Sequence, residues 1–151
     1  LNPDLNITYG GSAKTLQTNG PAFVPEASGW NKMTVDVPGM KYELSPFAIG
    51  LIGSATPNGW SAPDSKMEYD AAGGFWHITL NLVVGHVKFR VNDTWEDGIN
   101  LGLGDDTHPG YSLSNLWNNG SSKDIPIDAA GNYTVKLIIG SSTYSATITK
   151  N

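Results

Sequence analysis

Lysine, arginine, asparagine and tryptophan side chains lie close together in the segment HVKFRVNDTWEDGINLGLG, which runs from residue 86 to residue 104. A sugar ring presents an apolar face of C–H bonds and a fringe of hydroxyl groups. A flat aromatic ring covers the face, and Lys, Arg, Asn and Asp side chains hydrogen-bond to the fringe. Trp95 beside Lys88, Arg90 and Asn92 is therefore a set that could bind carbohydrate.

The local pattern predicts how this set is positioned. Apolar residues alternate with Lys88 and Arg90, which is the period of a strand that buries one face and exposes the other. We therefore expect the two cations to stand side by side in water. Asn92 and Asp93 supply turn chemistry, and Trp95 follows in a run of polar and glycine residues that offers it no obvious core.

Composition and charge limit the classes of partner. The chain has 151 residues, no cysteine and a net charge of −5. The lack of cysteine excludes a disulfide framework and a thiolate zinc site. The negative charge argues against nucleic acid or an anionic membrane as partner, because both attract cationic proteins. We find no signal-peptide pattern and no apolar run of membrane-spanning length in these residues. Because the sequence begins with Leu, we expect it to be part of a longer, exported protein.

The apolar pattern predicts an all-β protein. Eighteen glycines and nine prolines, many small polar residues and apolar residues at period two are typical of short strands joined by tight turns. No window has a convincing helical stripe. We therefore predict an antiparallel β-sandwich, in a chain long enough for one domain or for one domain plus a fragment.

Two parts of the chain carry similar patterns, which is typical of an internal repeat. In each part, apolar residues alternate with other residues before and after a turn, as in a hairpin. The apolar residues are Met33, Val35, Val37, Met40, Tyr42 and Leu44 in the first hairpin, and Val135, Leu137, Ile139, Tyr144, Ala146 and Ile148 in the second. Dipeptides upstream of the two hairpins also correspond: Leu5-Asn6 to Ile99-Asn100, Tyr9-Gly10 to Leu103-Gly104, Asn19-Gly20 to Asn119-Gly120, and Val24-Pro25 to Ile125-Pro126. Trp30 corresponds to Tyr133, and we expect it in the core. Residues 1–45 are thus predicted to be the second half of one module, and residues 46–151 a complete one.

Half a sandwich creates a physical problem, because its inner face stays wet at a cost of about 25 cal/mol per Å² of apolar surface. We expect the missing half to have been lost by truncation or proteolysis, or to come from another chain. The rival interpretation is that any two hairpins look this similar, and that all 151 residues form one domain.

The predicted complete module contains three further tryptophans. Trp60 ends the loop SATPNGW, which has every turn signal. Trp76 lies on the apolar side of the strand FWHITLNL and is predicted to be core. Trp117 lies in a long polar loop, residues 105–119, and either adds an aromatic contact to a site or anchors the loop.

These motifs resemble a known family when they are taken in order. LIGSATPNGW, FWHITLNL, KFRVNDTW, a glycine-rich strand and IPIDAAGNYTVKL follow one another as in the starch-binding modules of SusE and SusF. Their order is also similar to that of the starch-binding domain of glucoamylase and of accessory modules of bacterial pullulanases. The resemblance covers residues 46–151 in full and residues 5–45 in part.

The resemblance implies a non-catalytic, immunoglobulin-like sandwich that binds α-glucan without a cofactor. It also implies a lipoprotein on the surface of the bacterial outer membrane, anchored through a part outside this chain. Its partners would be the glucan and possible further components of a glycan-uptake complex, with no direct membrane insertion of these residues.

The site residues follow from the same resemblance. Trp60 and Trp95 match the two platform tryptophans, which at an angle to one another would suit a helical glucan. Lys88 and Asn92 would donate to adjacent hydroxyl groups, and Asp93 completes the Asn-Asp pair before the second tryptophan. Arg90 is a second-rank candidate. The loop that contains Asp97-Gly98 and the insertion at residues 105–119 depart from the family pattern and leave the choice of glycan open.

Other functions predict different features. A glycosidase needs two carboxylates about 5–9.5 Å apart across a cleft, and Asp93, Glu96 and Asp97 are the acidic cluster near the aromatics. Asp93 could instead simply accept N–H groups within its turn. A structural spacer or protein-interaction domain would bury Trp60 and Trp95, and a different polysaccharide could use the same platform. The three histidines are too scattered to predict a metal site.

Overall fold

The computed structural model of this protein describes residues 9–25 and 29–151. The chain divides into two compact units, Leu1–Phe47 and Ala48–Asn151, close to the predicted boundary between residues 45 and 46. Every regular element in the described ranges is a β-strand, and the strand pairs are antiparallel. The all-β prediction is confirmed. A search of these same ranges finds no helix with the length and apolar character needed to cross a membrane. The repeat counterpart Leu5-Asn6 lies outside the described residues.

The first unit contains a four-stranded sheet. Its strands are β1 (Tyr9–Ser12), β2 (Thr15–Thr18), β3 (Asn31–Asp36) and β4 (Lys41–Pro46). They lie in the order β1-β2-β4-β3. The predicted hairpin of β3 and β4 is confirmed. At its turn, the Gly39 N–H donates to Asp36 Oδ1 (3.0 Å) and the Met40 N–H donates to the Val37 carbonyl (3.1 Å).

A small apolar cluster stabilises the first unit. Leu16 is 1% exposed, and Tyr42 is buried with the ring of Phe23 edge-on to it at 4.7 Å. Trp30, however, is 51% exposed, so the prediction that it lies in the core is wrong. Its counterpart Tyr133 is buried inside a two-layer sandwich, whereas the described part of the first unit has one sheet and offers Trp30 no opposing layer.

The second unit is a β-sandwich, as predicted. One sheet contains β5 (Ile49–Ile52), β6 (Ser65–Lys66), β9 (Gly85–Val91), β10 (Asn100–Gly102), β11 (Trp117–Asn118) and β12 (Ile125–Ile127), and the other contains β7 (Glu68–Asp70), β8 (Phe75–Leu82), β13 (Gly131–Ile139) and β14 (Tyr144–Lys150). The first sheet has the order β11-β10-β9-β5-β6, with β12 also paired to β9, and the second has the order β14-β13-β8-β7.

Alternate residues of the long strands fill the core of this sandwich. Leu51 and Phe89 from one sheet, and Val135 and Leu137 from the other, are fully buried. Trp76 lies opposite Leu137 in the β8–β13 pair and is 6% exposed, which confirms its predicted place in the core. The same period-two pattern that predicts these strands therefore also predicts which of their faces is buried.

Candidate functional site

Two tryptophans that are distant in sequence meet at the surface of the second unit. The ring centroids of Trp60 and Trp95 lie 6.5 Å apart, and their planes are tilted by 41°. The two side chains are 43% and 40% exposed. Trp60 belongs to the loop that leaves β5 and returns through β6, and Trp95 follows β9, which is the other neighbour of β5. The predicted convergence of these two indoles is therefore present in the fold.

The Trp60 loop folds on itself through main-chain and threonine hydrogen bonds. The Gly53 N–H donates to the Gly59 carbonyl (3.0 Å), and Thr56 Oγ1 donates to the Gly53 carbonyl (2.9 Å). Gly53 has φ of 143° and Gly59 has φ of 59°, conformations that favour glycine. A Cβ at Gly53 would also collide with the His86 carbonyl oxygen. These glycines allow the tight path that presents Trp60.

The turn before Trp95 is built by Asn92 and Asp93. Both residues have positive φ, 54° and 61°, which asparagine and aspartate tolerate better than most residues. Asn92 Oδ1 accepts the Ala48 N–H (3.0 Å), and Asn92 Nδ2 donates to Asp97 Oδ2 (2.8 Å). The Asn92 side chain thus holds the turn in place. Asn92 is not among the described residues that line the cavity between the tryptophans, and its role as a hydroxyl donor stays a prediction.

Asp93 also makes structural contacts. Its Oδ1 accepts the Asp64 N–H (2.7 Å) and forms an ion pair with Lys66 Nζ. Burial raises the pKa of the Asp93 carboxyl, but the hydrogen bonds from Lys66 and Asp64 and the nearby cations outweigh this effect, so its pKa lies below the ordinary value. The N–H that Asp93 accepts comes from the end of the Trp60 loop rather than from its own turn. Asp93 therefore links the two loops that carry the tryptophans.

The expectation that Lys88 and Arg90 stand in water is wrong, because they are only 5% and 4% exposed. The Arg90 guanidinium forms a bidentate pair with Asp64, with Nη2–Oδ1 at 2.7 Å and Nε–Oδ2 at 2.9 Å. Asp64, at the end of the Trp60 loop, and the Trp95 ring lie against Arg90, and the buried Asp64 carboxylate compensates the desolvation of the guanidinium. Arg90 Cζ lies 4.6 Å from the centroid of the Trp95 ring. Arg90 thus supports the indole from the protein side.

Lys88 is buried beside the same indole. Its Nζ donates to the Ser122 carbonyl (2.9 Å) and lies 5.7 Å from the centroid of the Trp95 ring. Burial lowers the pKa of the Lys88 amine, while the negative charge of Asp124 acts in the opposite direction. An ammonium has three donors, of which the Ser122 carbonyl takes one. Lys88 is thus a desolvated donor at the edge of a cavity.

An open cavity of about 490 Å³ lies between the two tryptophans. Its lining comprises Trp60, Lys88, Trp95, Asn100, Gly120 and Asp124. Asn100 Oδ1 is buried there without a hydrogen-bond partner. Asn100 and Asp124 were not predicted as site residues. Asn100 lies opposite Arg90 in the β10–β9 pair, and Asp124 precedes β12, which also pairs with β9. Their place is set by cross-strand pairing, which leaves no local signal in the sequence.

Trp117 belongs to a separate aromatic cluster. Its ring stacks with His108 at 4.2 Å and with Tyr111 at 5.5 Å between centroids. Trp117 lies in β11, opposite Gly102, and does not line the cavity. Of the two predicted roles, its contacts fit that of a loop anchor.

The 105–119 loop gives a prediction about the pKa of Asp105. Hydrogen bonds, first from the Thr107 side chain and then from His108, lower the pKa of this carboxyl to about 2. Because the folded-state pKa is depressed, the ionised Asp105 carboxyl stabilises the folded state. This stabilisation is present above the unfolded pKa of about 4 and is lost as the pH falls through about 2. We expect Thr107→Val to raise the Asp105 pKa toward its ordinary value in an NMR titration of the carboxyl carbon. An unchanged pKa would show that Thr107 has no such effect.

The part of the chain that the structure describes contains no group of three or more His, Cys, Asp or Glu residues that could hold a metal ion. When the chain is compared with known proteins, no family model, no curated protein and no solved structure matches it.

Proposed function

We propose that the second unit binds α-glucan, such as starch or maltooligosaccharides, and performs no chemistry on it. The observation that carries the proposal is the pair of exposed, tilted indoles of Trp60 and Trp95 beside a cavity with polar groups at its edge. Half-exposed aromatic rings are costly to leave in water unless a ligand covers them. A sugar is such a ligand, because its C–H faces pack on aromatic rings.

The angle between the rings favours a curved chain of sugars. Two coplanar rings would suit a flat, extended glycan, whereas rings tilted by 41° present a bent surface. A helical α-glucan has such curvature, so that neighbouring glucose units can each place an apolar face on one indole. This geometric match is the reason for choosing an α-glucan among polysaccharides.

The polar lining of the cavity complements hydroxyl groups. Lys88 can donate hydrogen bonds, and Asp124 can accept them. A sugar hydroxyl both donates and accepts, so two adjacent hydroxyls could satisfy the ammonium and an acceptor together. Hydrogen bonds to charged groups are strengthened when water is excluded. The Lys88 side chain is already desolvated before a ligand arrives.

The carboxylates near the tryptophans argue for binding rather than hydrolysis. Asp93 is paired with Lys66, and Asp97 accepts a hydrogen bond from Asn92. Asp124 is the sole carboxylate among the described residues that line the cavity. Glycoside hydrolysis normally needs two carboxylates on opposite sides of the scissile bond. We therefore propose a binding module rather than an enzyme.

By the likeness to SusE and SusF, we further propose that the protein acts at the bacterial outer membrane, lipid-anchored through another part of the protein and beside other components of a glycan-uptake complex. A structural spacer or protein-interaction domain remains the alternative. That alternative predicts buried indoles, whereas Trp60 and Trp95 are partly exposed beside a cavity, and their exposure therefore favours the binding module.

Calorimetry with two glucans tests the proposal. Maltoheptaose is α-linked and curved, whereas a cellooligosaccharide of similar length is β-linked and extended. We expect heat of binding with maltoheptaose and none with the β-linked control. If folded protein gave no heat with millimolar maltoheptaose, the proposal would be rejected. If the β-linked glucan bound and maltoheptaose did not, the two indoles would still be a sugar-binding platform, but the assignment of α-glucan as its ligand would be rejected.

Substitution of Asp124 tests the polar part of the site. Asp124→Asn keeps the shape of the side chain but removes the charged acceptor, and hydrogen bonds to charged groups contribute about 1.5–3 kcal/mol. We expect maltoheptaose to bind roughly ten-fold more weakly or worse. Asp128→Asn, at an exposed position outside the cavity lining, is the matched control and should bind as the parent does. Equal affinities of the two variants would contradict a role for Asp124.

A further inference from the structure

The β3–β4 hairpin of the first unit has one apolar face, and the β3 side of this face is exposed. Residues directly opposite one another in an antiparallel pair share a face. Met33 lies opposite Leu44, and Val35 lies opposite Tyr42. Met33 and Val35 are 39% and 45% exposed. The intervening positions carry Thr34 opposite Glu43 and Asp36 opposite Lys41, so the other face is polar. The hairpin thus has one apolar face, on which Tyr42 is buried while Met33 and Val35 remain exposed.

The second unit contains the same hairpin in a covered state. In the β13–β14 pair, Val135 lies opposite Ile148 and Leu137 lies opposite Ala146. Val135 and Leu137 correspond to Met33 and Val35 in the repeat, yet both are 0% exposed. The difference comes from the surroundings of the hairpin, because in the second unit the sheet that contains β5 and β9 forms the opposing layer of the sandwich.

The strand edge next to the apolar face also differs between the two hairpins, because in the part of the chain that the structure describes it is paired with a further strand in the second unit only. β3 is the last strand of its sheet, and among the described residues of the first unit no strand pairs with its other side. On the corresponding side of β13, β8 pairs along its length, with Ile78 opposite Val135 and Trp76 opposite Leu137. A strand at the edge of a sheet, next to exposed apolar residues, is a site for strand addition.

We propose that the first unit is the docking half of a second sandwich, and that its partner is a half-module of the same kind as residues 48–98. A strand equivalent to β8 adds antiparallel to the outer edge of β3, with its large apolar residues opposite Met33 and Val35. A sheet equivalent to β5 and β9 then covers the apolar face. This inference rests on the internal repeat and is independent of the proposed glucan binding.

A second copy of this chain is a poorer partner. Its own β8 is already paired with β7 and β13, and its β9 with β5, β10 and β12. It therefore cannot lend these strands without opening its own sandwich. Two copies could pair their β3 edges, but that arrangement would add no sheet over the apolar faces.

A chimera tests the proposal directly. Residues 48–98 are placed ahead of residue 5, because Leu5-Asn6 corresponds to Ile99-Asn100 in the repeat. We expect the β3 amides that point away from β4 to exchange with deuterium on the order of ten-fold more slowly than in the parent chain. The same chimera with Ile78→Pro in the added copy is the control, since proline breaks strand pairing, and it should exchange like the parent. A chimera that does not protect these amides, or that does not fold as two modules, overturns the proposal.

A second measurement uses the chain without additions. Val35→Lys should leave the midpoint of thermal unfolding unchanged and reduce the fluorescence of a bound hydrophobic dye, because the face is open. Leu137→Lys, at the equivalent covered position, should lower the midpoint strongly. A parent chain that sediments as a dimer, and that Val35→Lys converts to a monomer, would identify a second copy as the occupant and overturn the proposal.

Discussion

Asp64→Ala is expected to lower the free energy of unfolding of the second unit by about 3–5 kcal/mol. The Asp64 carboxylate is fully buried and pairs with a guanidinium that is 5% exposed. Without it, the buried Arg90 guanidinium loses its bidentate partner. Urea unfolding followed by near-UV circular dichroism measures the loss. The exciton signal of two tryptophans 6.5 Å apart should weaken at the same time, because Asp64 and Arg90 connect the loops that carry them.

An exposed ion pair provides the control for this prediction. Lys123 and Asp106 also form a contact at 2.9 Å, but their side chains are 53% and 99% exposed. Asp106→Ala should therefore change stability by about 1 kcal/mol at most. The double variant Asp64→Leu/Arg90→Met should recover much of the lost stability, since it leaves no unpaired charge. Equal effects of Asp64→Ala and Asp106→Ala would contradict the account of a buried pair.

Trp95→Ala is expected to weaken maltoheptaose binding by about a hundred-fold or more, which corresponds to about 3 kcal/mol. The substitution removes one half of the aromatic platform and the ring that covers Arg90. Calorimetry measures the affinity. Loss of the Trp95 ring could also disturb the buried Arg90–Asp64 ion pair, so Trp60→Ala is the second variant. The Trp60 ring contacts Trp95, and no cation among the described residues lies over it.

A tryptophan outside the site provides the control, because its substitution shows whether removing any exposed indole weakens binding. Trp30 is 51% exposed and belongs to the first unit, so Trp30→Ala should bind maltoheptaose like the parent. Affinity that survives in both Trp60→Ala and Trp95→Ala would contradict the platform. An equal loss in Trp30→Ala would indicate binding elsewhere on the chain.

Period-two alternation predicted the strands and the buried side of the long ones. β8 and β13 follow the pattern, and Trp76 is in the core as expected. The loop with Trp60 was also recognisable, since its glycines and small polar residues specify turns locally. These features depend on contacts between neighbours in sequence or on a simple face of a strand, and a single sequence carries that information.

The same rule failed for Lys88 and Arg90 because the groups that bury them are distant in sequence. Asp64 precedes Arg90 by 26 residues, and Ser122 follows Lys88 by 34. Alternation states which side of a strand is polar but not whether a loop covers that side. Asn92 and Asp93 were predicted to contact sugar, with an N–H-accepting role open for Asp93. In the structure their side chains accept the Ala48 and Asp64 N–H groups, and these long-range bonds could not be read from the local sequence. Asn100 and Asp124 enter the site only through pairing with β9.

The indole N–H signals of the five tryptophans give the most direct test of the binding site. In an NMR titration with maltoheptaose, the account predicts that the signals of Trp60 and Trp95 shift until saturation. The signals of Trp30, Trp76 and Trp117 should stay in place, because these rings lie outside the cavity lining. If all five signals remained unchanged at millimolar ligand, or if Trp30 or Trp117 shifted in place of the pair, the glucan platform would be contradicted.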